Sequence, residues 1–287
     1  MGNNFNVLLK KRQMFSQGLS GYPILSSSYW PILISMWVVW TVSWLVVFMH
    51  FKISGFSFLC ILLGVFNLGR TMVNWFSDVI SEGRRGLHTR LVVRGMKVGM
   101  GLFILSEGAF FLSFFWAFLH ACWGSLSMNL SFPPKGIKCL SPWGVPFLNS
   151  FLLVGSGLTV TYAHKAAKSV DMKWKKENED LISGLSMTVL LGATFLMLQM
   201  YEYWWLSFSM NDGVYGSCFY IMTGFHGMHV VAGTIWLSVC LGRAISGHFQ
   251  YRYRHVGMQF AIWYWHFVDV VWLGLYFVVY INGSIWY

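Results

Sequence analysis

The 287-residue sequence is 56% hydrophobic and only 10% charged. A soluble domain carries roughly 25% charged residues, so this chain cannot cover itself with a water-compatible surface, and a soluble fold is excluded. Its 20 basic and 10 acidic residues give a formal net charge of +10. The placement of those charges decides whether they indicate a nucleic acid or a membrane.

Seven segments are long and apolar enough to be transmembrane helices, which need about 20 predominantly apolar residues. They cover 30–50, 56–79, 95–123, 146–164, 181–205, 214–242 and 256–282. Asn67, Arg70 and Asn74 interrupt the second segment, so a count of six spans stays open as the alternative. The sequence therefore predicts an all-α integral membrane protein, preceded by a polar N-terminal extension over residues 1–28.

The basic residues are distributed unevenly between the two sides of the predicted membrane. Sixteen of the 20 lie in the N-terminal extension or in the loops after the second, fourth and sixth spans, which share one side if there are seven spans. Only Lys52, Lys135 and Lys138 lie on the other side. Because basic loops stay inside, we expect the N-terminus inside and the C-terminus outside. The net charge thus indicates topology and lipid headgroups rather than nucleic acid.

Several kinds of chemistry lack their sequence signature here. The five cysteines contain no CxxC pair, which argues against a disulfide framework or a zinc site; they are Cys60, Cys122, Cys139, Cys218 and Cys240. No HExxH motif, nucleophile elbow or phosphate-binding loop occurs, so hydrolysis and phosphoryl transfer have no motif to support them.

Ionisable residues inside the predicted spans are functional candidates, because each is costly in hydrocarbon unless it is paired or neutral. They are Glu107, Glu202, His226, His229, His266 and Asp269, with His120 near the end of the third span. Two interpretations of the histidines are open from the residues alone. They bind a metal or a b-type haem, which needs one histidine from each of two facing helices, or they form hydrogen bonds between helices.

Glu107 has no basic residue near it along the chain, since none lies between Lys97 and Lys135. Desolvation among apolar residues disfavours the carboxylate, so we expect a neutral acid. The alternative is that a basic residue on another helix, such as Arg70, pairs with Glu107 and keeps it ionised.

The sequence resembles the cytochrome c oxidase subunit III family over all but about its first 28 residues. "WYWHFVDVVWL" (263–273) is similar to the last helix of that family, and "SEGAFFLSFFWAFLH" (106–120) to its third. Six further strings follow in family order: "PPKGI" (133–137), "VPFLN" (145–149), "SGLTVTYAH" (156–164), "EYWW" (202–205), "DGVYGSCFY" (212–220) and "TGFHGMHVVAG" (223–233).

The resemblance implies a fold and a role. Two splayed transmembrane helices (29–80) would leave a lipid-filled cleft beside a five-helix transmembrane bundle (95–287). The chain would be a core subunit of cytochrome c oxidase in the mitochondrial inner membrane. It would have no redox centre of its own, because haem a and copper belong to the partner subunits I and II. It would stabilise the catalytic subunit and hold phospholipids, and so support electron transfer from cytochrome c to oxygen and coupled proton pumping.

The alternatives are the equivalent subunit of a quinol oxidase and a membrane b-type haem protein in its own right. Because the family's subunit III binds no haem, the resemblance favours a structural role for His226, His229 and His266. We then expect His266 and Asp269, one turn apart, to satisfy each other by a charge-assisted hydrogen bond.

The resemblance also implies lipid-contacting residues and places Glu107 at the cleft. The lipid-binding candidates are Trp75, Arg84, Arg85, His88, Phe103 and Arg243. The sequence departs from the family at Ser77 and Ser81, where arginines are usual. Arg84 and Arg85 follow closely and are candidates to replace them.

Overall fold

The structure is a computed structural model that describes residues 22, 27–51, 54–128, 131–168, 174–249 and 255–285. Most of the expected N-terminal extension lies outside the described residues. So do seven of the basic residues used for the topology prediction: Lys10, Lys11, Arg12, Lys52, Lys173, Arg252 and Arg254.

Seven long α-helices make up most of the described chain. They are α1 (Trp30–His50), α2 (Ser54–Arg84), α3 (Arg90–Ser127), α4 (Val145–Lys168), α5 (Trp174–Trp205), α6 (Gly213–Ile245) and α7 (Val256–Leu275). All seven are long and apolar enough to cross a membrane, and the described residues contain no β-strand. The predicted all-α membrane fold with seven spans is confirmed, and the alternative count of six is wrong.

The helices form because hydrocarbon offers no partner for backbone N–H and C=O groups, which a helix satisfies internally. Proline in the first turn of α1 costs no hydrogen bond, since the N–H groups there have no helical partner. Gly86 and Gly247 follow the ends of α2 and α6 with φ of 79° and 68°, and this left-handed backbone terminates both helices.

The chain divides into two compact units, Met1–Met96 and Lys97–Tyr287. In the first unit α1 and α2 pack side by side and are joined by indole hydrogen bonds. Trp40 Nε1 donates to the carbonyl oxygen of Cys60 at 3.0 Å, and Trp30 Nε1 donates to Asp78 Oδ2 at 2.7 Å. Because the two bonds lie at different positions along the helix axes, they fix the register of the two antiparallel helices.

In the second unit α4, α5, α6 and α7 form a closed ring, with Trp265 of α7 fully buried among the other three. Its indole N–H donates to Ser156 Oγ of α4 at 2.9 Å. A Cβ at Gly192 of α5 or at Gly233 of α6 would lie 2.7 or 2.8 Å from the Trp265 ring. The two glycines thus provide the space for the indole, in keeping with the use of small residues where membrane helices approach closely.

Helix α3 completes the second unit with aromatic side chains. Phe111 and Phe118 are 2% and 0% exposed, and the Phe118 ring lies 5.4 Å from that of Phe132 and 6.0 Å from that of Tyr215. This cluster anchors the segment 131–144, which contains the turn expected there, with Gly136 at a φ of 106°.

Several helix ends differ from the predicted spans. Helix α2 ends at Arg84 and not near 79, and α3 and α5 begin at Arg90 and Trp174 and not near 95 and 181. Helix α3 continues through Ser127, although the apolar span ends near residue 123, because hydropathy marks the hydrocarbon and not the end of a helix. Helix α7 continues as a π-helix (Tyr276–Ile281) and a short helix α8 (Asn282–Ile285), where a plain helix to 282 was expected.

Candidate functional site

Glu107 of α3 pairs with His229 of α6. Glu107 Oε2 lies 2.9 Å from His229 Nε2, and the two side chains are 24% and 14% exposed, so the carboxyl is less buried than the sequence predicted. The Phe111 ring stands 5.0 Å from the imidazole, edge to face, and Tyr264 stacks on it at 6.2 Å. The pair is therefore enclosed by aromatic rings on two sides.

The hydrogen bonds of His229 determine how many protons the pair holds. Its Nδ1 lies 2.7 Å from the carbonyl oxygen of Phe225, which can only accept, so Nδ1 carries a proton. The bond between Nε2 and Oε2 then holds one more proton, on the carboxyl or on the ring. In both forms the pair as a whole is neutral. The partner of Glu107 is thus a histidine 122 positions away, where the sequence alone had offered Arg70 as the candidate.

Glu202 of α5 is the most buried carboxyl of the described chain, at 3% exposure. Tyr280 donates its hydroxyl to Glu202 Oε1 at 2.9 Å, and Gln199 Nε2 approaches the same oxygen at 3.4 Å. Among the described residues Oε2 has no hydrogen-bond partner. The cluster lies between α5 and the π-helix that follows α7.

His226 of α6 is held by packing and by one backbone contact. The residue is 1% exposed, and its ring lies 5.6 Å from that of Phe195 and 5.1 Å from that of Trp272. Its Nε2 lies 3.3 Å from the carbonyl oxygen of Val268, to which it donates. The contact links α6 to α7.

His266 and Asp269 are close but do not form the hydrogen bond expected from their spacing. His266 Nδ1 lies 3.6 Å from Asp269 Oδ2, an ion-pair distance too long for a hydrogen bond. The imidazole instead contacts α4, with Nε2 at 3.4 Å from Thr161 Oγ1. Gly157 of α4 gives the carboxylate room, because a Cβ there would lie 2.8 Å from Oδ2.

The lipid-binding candidates of the first unit lie along α2 and the turn after it. Trp75 and His88 are half-buried, whereas Arg84 and Arg85 are exposed. The His88 imidazole lies against Gly83, whose added Cβ would be 3.1 Å from Nδ1. Of the two serines that stand where the family has arginines, Ser77 is exposed and Ser81 is half-buried.

The candidates of the second unit are Phe103 and Arg243. Phe103 is 45% exposed and stacks on Tyr264 at 6.2 Å. The Arg243 guanidinium lies 4.8 Å from the centroid of the Phe249 ring, within the range of a cation–π contact. The lipid-binding role of all six residues remains a prediction.

Sequence reasoning missed the groups that bind these side chains. Tyr280 and Ser150 belong to no motif, and Thr161 and Ser156 lie in the string "SGLTVTYAH" (156–164), which did not indicate what they contact. One signal was available: Trp265 and Trp272 are seven residues apart and so share a helix face, and Ser150 and Ser156 are small polar residues on a neighbouring helix.

His120 lies exposed near the end of α3. Within the described ranges no three His, Cys, Asp or Glu side chains are grouped as they would be around a metal.

Fold and site together define a seven-span α-helical membrane protein whose intramembrane ionisable groups contact side chains or carbonyls of neighbouring helices. The family model described as cytochrome c oxidase subunit III matches residues 20–284. Cytochrome c oxidase subunit 3 of Osphranter robustus is 42% identical over 265 residues, covering 92% of this chain and 97% of that protein. The proteins of the same name from Prototheca wickerhamii and Xenopus laevis are each 43% identical over 92% of this chain, covering 98% and 97% of their own lengths. The chain belongs to the cytochrome c oxidase subunit III family, and the resemblance seen in the sequence is confirmed.

Proposed function

We propose that the chain is a non-redox core subunit of cytochrome c oxidase in the mitochondrial inner membrane. It stabilises the catalytic subunit and holds structural phospholipids, and so supports electron transfer from cytochrome c to oxygen and the coupled translocation of protons. Haem a and copper lie in its partner subunits. The N-terminus lies in the matrix and the C-terminus in the intermembrane space.

The observation that carries this proposal is the engagement of the intramembrane histidines. Both ring nitrogens of His229 have partners, Glu107 and the carbonyl oxygen of Phe225, and His226 Nε2 contacts the carbonyl oxygen of Val268. A haem iron needs a ring nitrogen that is free to coordinate. Ligation at His229 would require a protein contact to break, which supports the structural interpretation over a haem protein.

The lipid role rests on charge and on the position of Arg243 in the last turn of α6. A guanidinium at the end of a transmembrane helix suits a phosphate headgroup whose acyl chains extend along the apolar helix. The Phe249 ring beneath it restricts the guanidinium and so orients its N–H groups. Trp75, Arg84, Arg85, His88 and Phe103 are the further candidates.

Two assays on one preparation test the function. When the chain is purified with an affinity tag in mild detergent, haem a, copper and cytochrome c oxidase activity should co-purify with it. A preparation that oxidises quinol and not cytochrome c would overturn this in favour of a quinol oxidase.

Lipid analysis of the same preparation tests Arg243. The variant Arg243→Ala should lose phospholipid from the purified complex, whereas Lys165→Ala, an exposed cation near the end of α4, should keep it. Unchanged lipid content in Arg243→Ala would contradict the assignment.

A further inference from the structure

Exposed polar groups at the depth of the hydrocarbon distinguish one face of the second unit. Apolar side chains exposed on a membrane helix are expected, because lipid covers them. A half-exposed imidazole beside a carboxylate is not expected there, since lipid tails offer neither hydrogen bonds nor charge. His266 fits this description: 43% of its side chain is exposed, and Asp269 behind it is 11% exposed.

His266 lies too deep for headgroups to reach. It follows Val256, the first residue of α7, by ten residues, which at about 1.5 Å per residue places it about 15 Å into the span. The hydrocarbon core is about 30 Å thick, so His266 lies near its middle. Water and phosphates are both absent at that depth.

The contacts among the described residues leave the imidazole incompletely satisfied. Thr161 is itself exposed and donates its hydroxyl to the carbonyl oxygen of Gly157 at 2.7 Å, so it can only accept from His266 Nε2, across 3.4 Å. The contact of Nδ1 with Asp269 is 3.6 Å. Nε2 therefore carries a proton that can be shared with a second acceptor outside the chain.

Four exposed serines of the second unit do not share this property. Ser106, Ser113, Ser186 and Ser238 are exposed, but each donates to a carbonyl of its own helix at 2.6–2.9 Å. The α4–α7 face is also rigid beneath the polar patch, because Trp265 and Trp272 of α7 donate to Ser156 and Ser150 of α4. It is a preformed surface.

We propose that the face of α4 and α7 around His266 and Thr161 docks a transmembrane helix of a partner subunit that presents a hydrogen-bond acceptor oxygen at this depth. The hydroxyl or amide of Ser, Thr, Asn or Gln fits, and so does a backbone carbonyl of a closely packed helix. Around the polar patch the partner covers apolar side chains that are exposed in the chain alone: Phe151, Val154, Leu158 and Val270 are 64%, 45%, 71% and 67% exposed. This inference rests on the proposed function, because it assumes a membrane complex around the chain.

Carbene footprinting tests the inference without a mutation. An apolar diazirine, photolysed in the bilayer or micelle, inserts into side chains that lipid or detergent contacts, and mass spectrometry locates the label. In the intact complex Leu158 and Val270 should be labelled no more than Phe118, which is 0% exposed. In the chain dissociated from its partners both should be labelled strongly.

If lipid or a second copy of the chain covers the α4–α7 face, the labelling pattern is different. Strong labelling in the intact complex as well as in the isolated chain would mean that lipid covers the face, and would overturn the proposal. Protection in both states would indicate a second copy of the chain, and would also overturn it. Absence of haem and copper from the purification would contradict the proposed function instead, so the two failures are distinguishable.

Variants test the hydrogen bond itself. Thr161→Val keeps the shape and removes the hydroxyl, and His266→Phe removes the donor. Both should raise the fraction of the chain released from the complex by a detergent series, His266→Phe more than Thr161→Val. Ser186→Ala, exposed and bonded only within α5, is the matched control. Equal release from all three variants and the unmodified chain would contradict the proposal.

Discussion

At the residue scale, the ionisable groups of the second unit are placed by partners far away in the sequence. Glu107 and His229 are 122 positions apart, and Glu202 and Tyr280 are 78 apart. Hydropathy and spacing showed that these residues lie inside spans, but contact between helices depends on rotation and register, which periodicity does not give. For this reason the sequence identified the carboxyls and missed His229 and Tyr280 as their partners.

The Glu107–His229 pair predicts different outcomes for two substitutions of similar size. Glu107→Gln keeps an oxygen and an N–H near Nε2, so the purified complex should keep its thermal stability. Glu107→Leu leaves the imidazole nitrogen unsatisfied and should destabilise the complex by about 1–3 kcal/mol. Thermal unfolding of both variants against the unmodified complex measures this. Equal stability of the two variants would show that the pair contributes nothing.

Infrared difference spectroscopy determines whether the shared proton of the Glu107–His229 pair lies on the carboxyl or on the imidazole. The sequence predicts a neutral acid, which gives a carbonyl band at pH 7 that disappears in Glu107→Gln. A carboxylate band that disappears in the same variant would place the proton on His229 and contradict the neutral acid.

The Glu202 cluster predicts a cost for removing one hydroxyl. Tyr280→Phe takes away the 2.9 Å bond to Glu202 Oε1 and leaves a buried carboxyl with Gln199 at 3.4 Å, so we expect a loss of about 1–3 kcal/mol in the unfolding free energy. Tyr201→Phe, on the exposed face of α5, is the control and should change little. A Tyr280→Phe complex as stable as the control would mean that the bond is not a stabilising one.

At the element scale, α7 organises the second unit. Trp265 fills the space between three other helices because Gly192 and Gly233 have no side chain, and Trp272 packs on Phe195 at 4.8 Å with the rings at 90°. The predicted and observed helix ends differ by up to seven residues, as at the start of α5. The sequence could not predict which glycines face a tryptophan, since glycines are frequent in all these spans.

Glycine substitutions on α6 separate packing from helix propensity. Gly233→Ala places a methyl group 2.8 Å from the Trp265 ring, and such overpacking should destabilise the complex by about 1–3 kcal/mol. Gly227→Ala lies on the same helix with nothing within 4 Å of the added Cβ, so it should be neutral or slightly stabilising. Thermal unfolding compares the two. Similar losses in both variants would show that the Trp265 contact is not the cause.

At the scale of the whole molecule, composition and charge were sufficient for the number of spans. Seven apolar segments and an asymmetry of sixteen basic residues against three predicted seven helices, and the described part of the chain contains seven. The orientation remains a prediction, because several of the residues on which it depends lie outside the described part of the chain. The segment 131–144 provides a direct test, since it should face the intermembrane space.

Cys139 in that segment is the natural site for labelling. Burial raises the pKa of its thiol above the ordinary value, and a hydrogen bond with Tyr215 only partly offsets this. At neutral pH less thiolate is therefore present than in a free cysteine, so labelling should be slow and should accelerate as the pH rises. An impermeant maleimide should react when added from the outer side of sealed inner-membrane vesicles. Reaction only from the matrix side would reverse the topology.

The most direct test of the central claim, that the chain is a subunit of cytochrome c oxidase without a redox centre, is the distribution of haem after dissociation. The purified complex is separated into its subunits under conditions that keep haem bound to its own protein, and the Soret band is measured on each fraction. We predict that the Soret absorption follows the partner subunits and that the fraction containing this chain has none. A Soret band that stays with this chain and is lost in His226→Leu or His229→Leu would contradict the account.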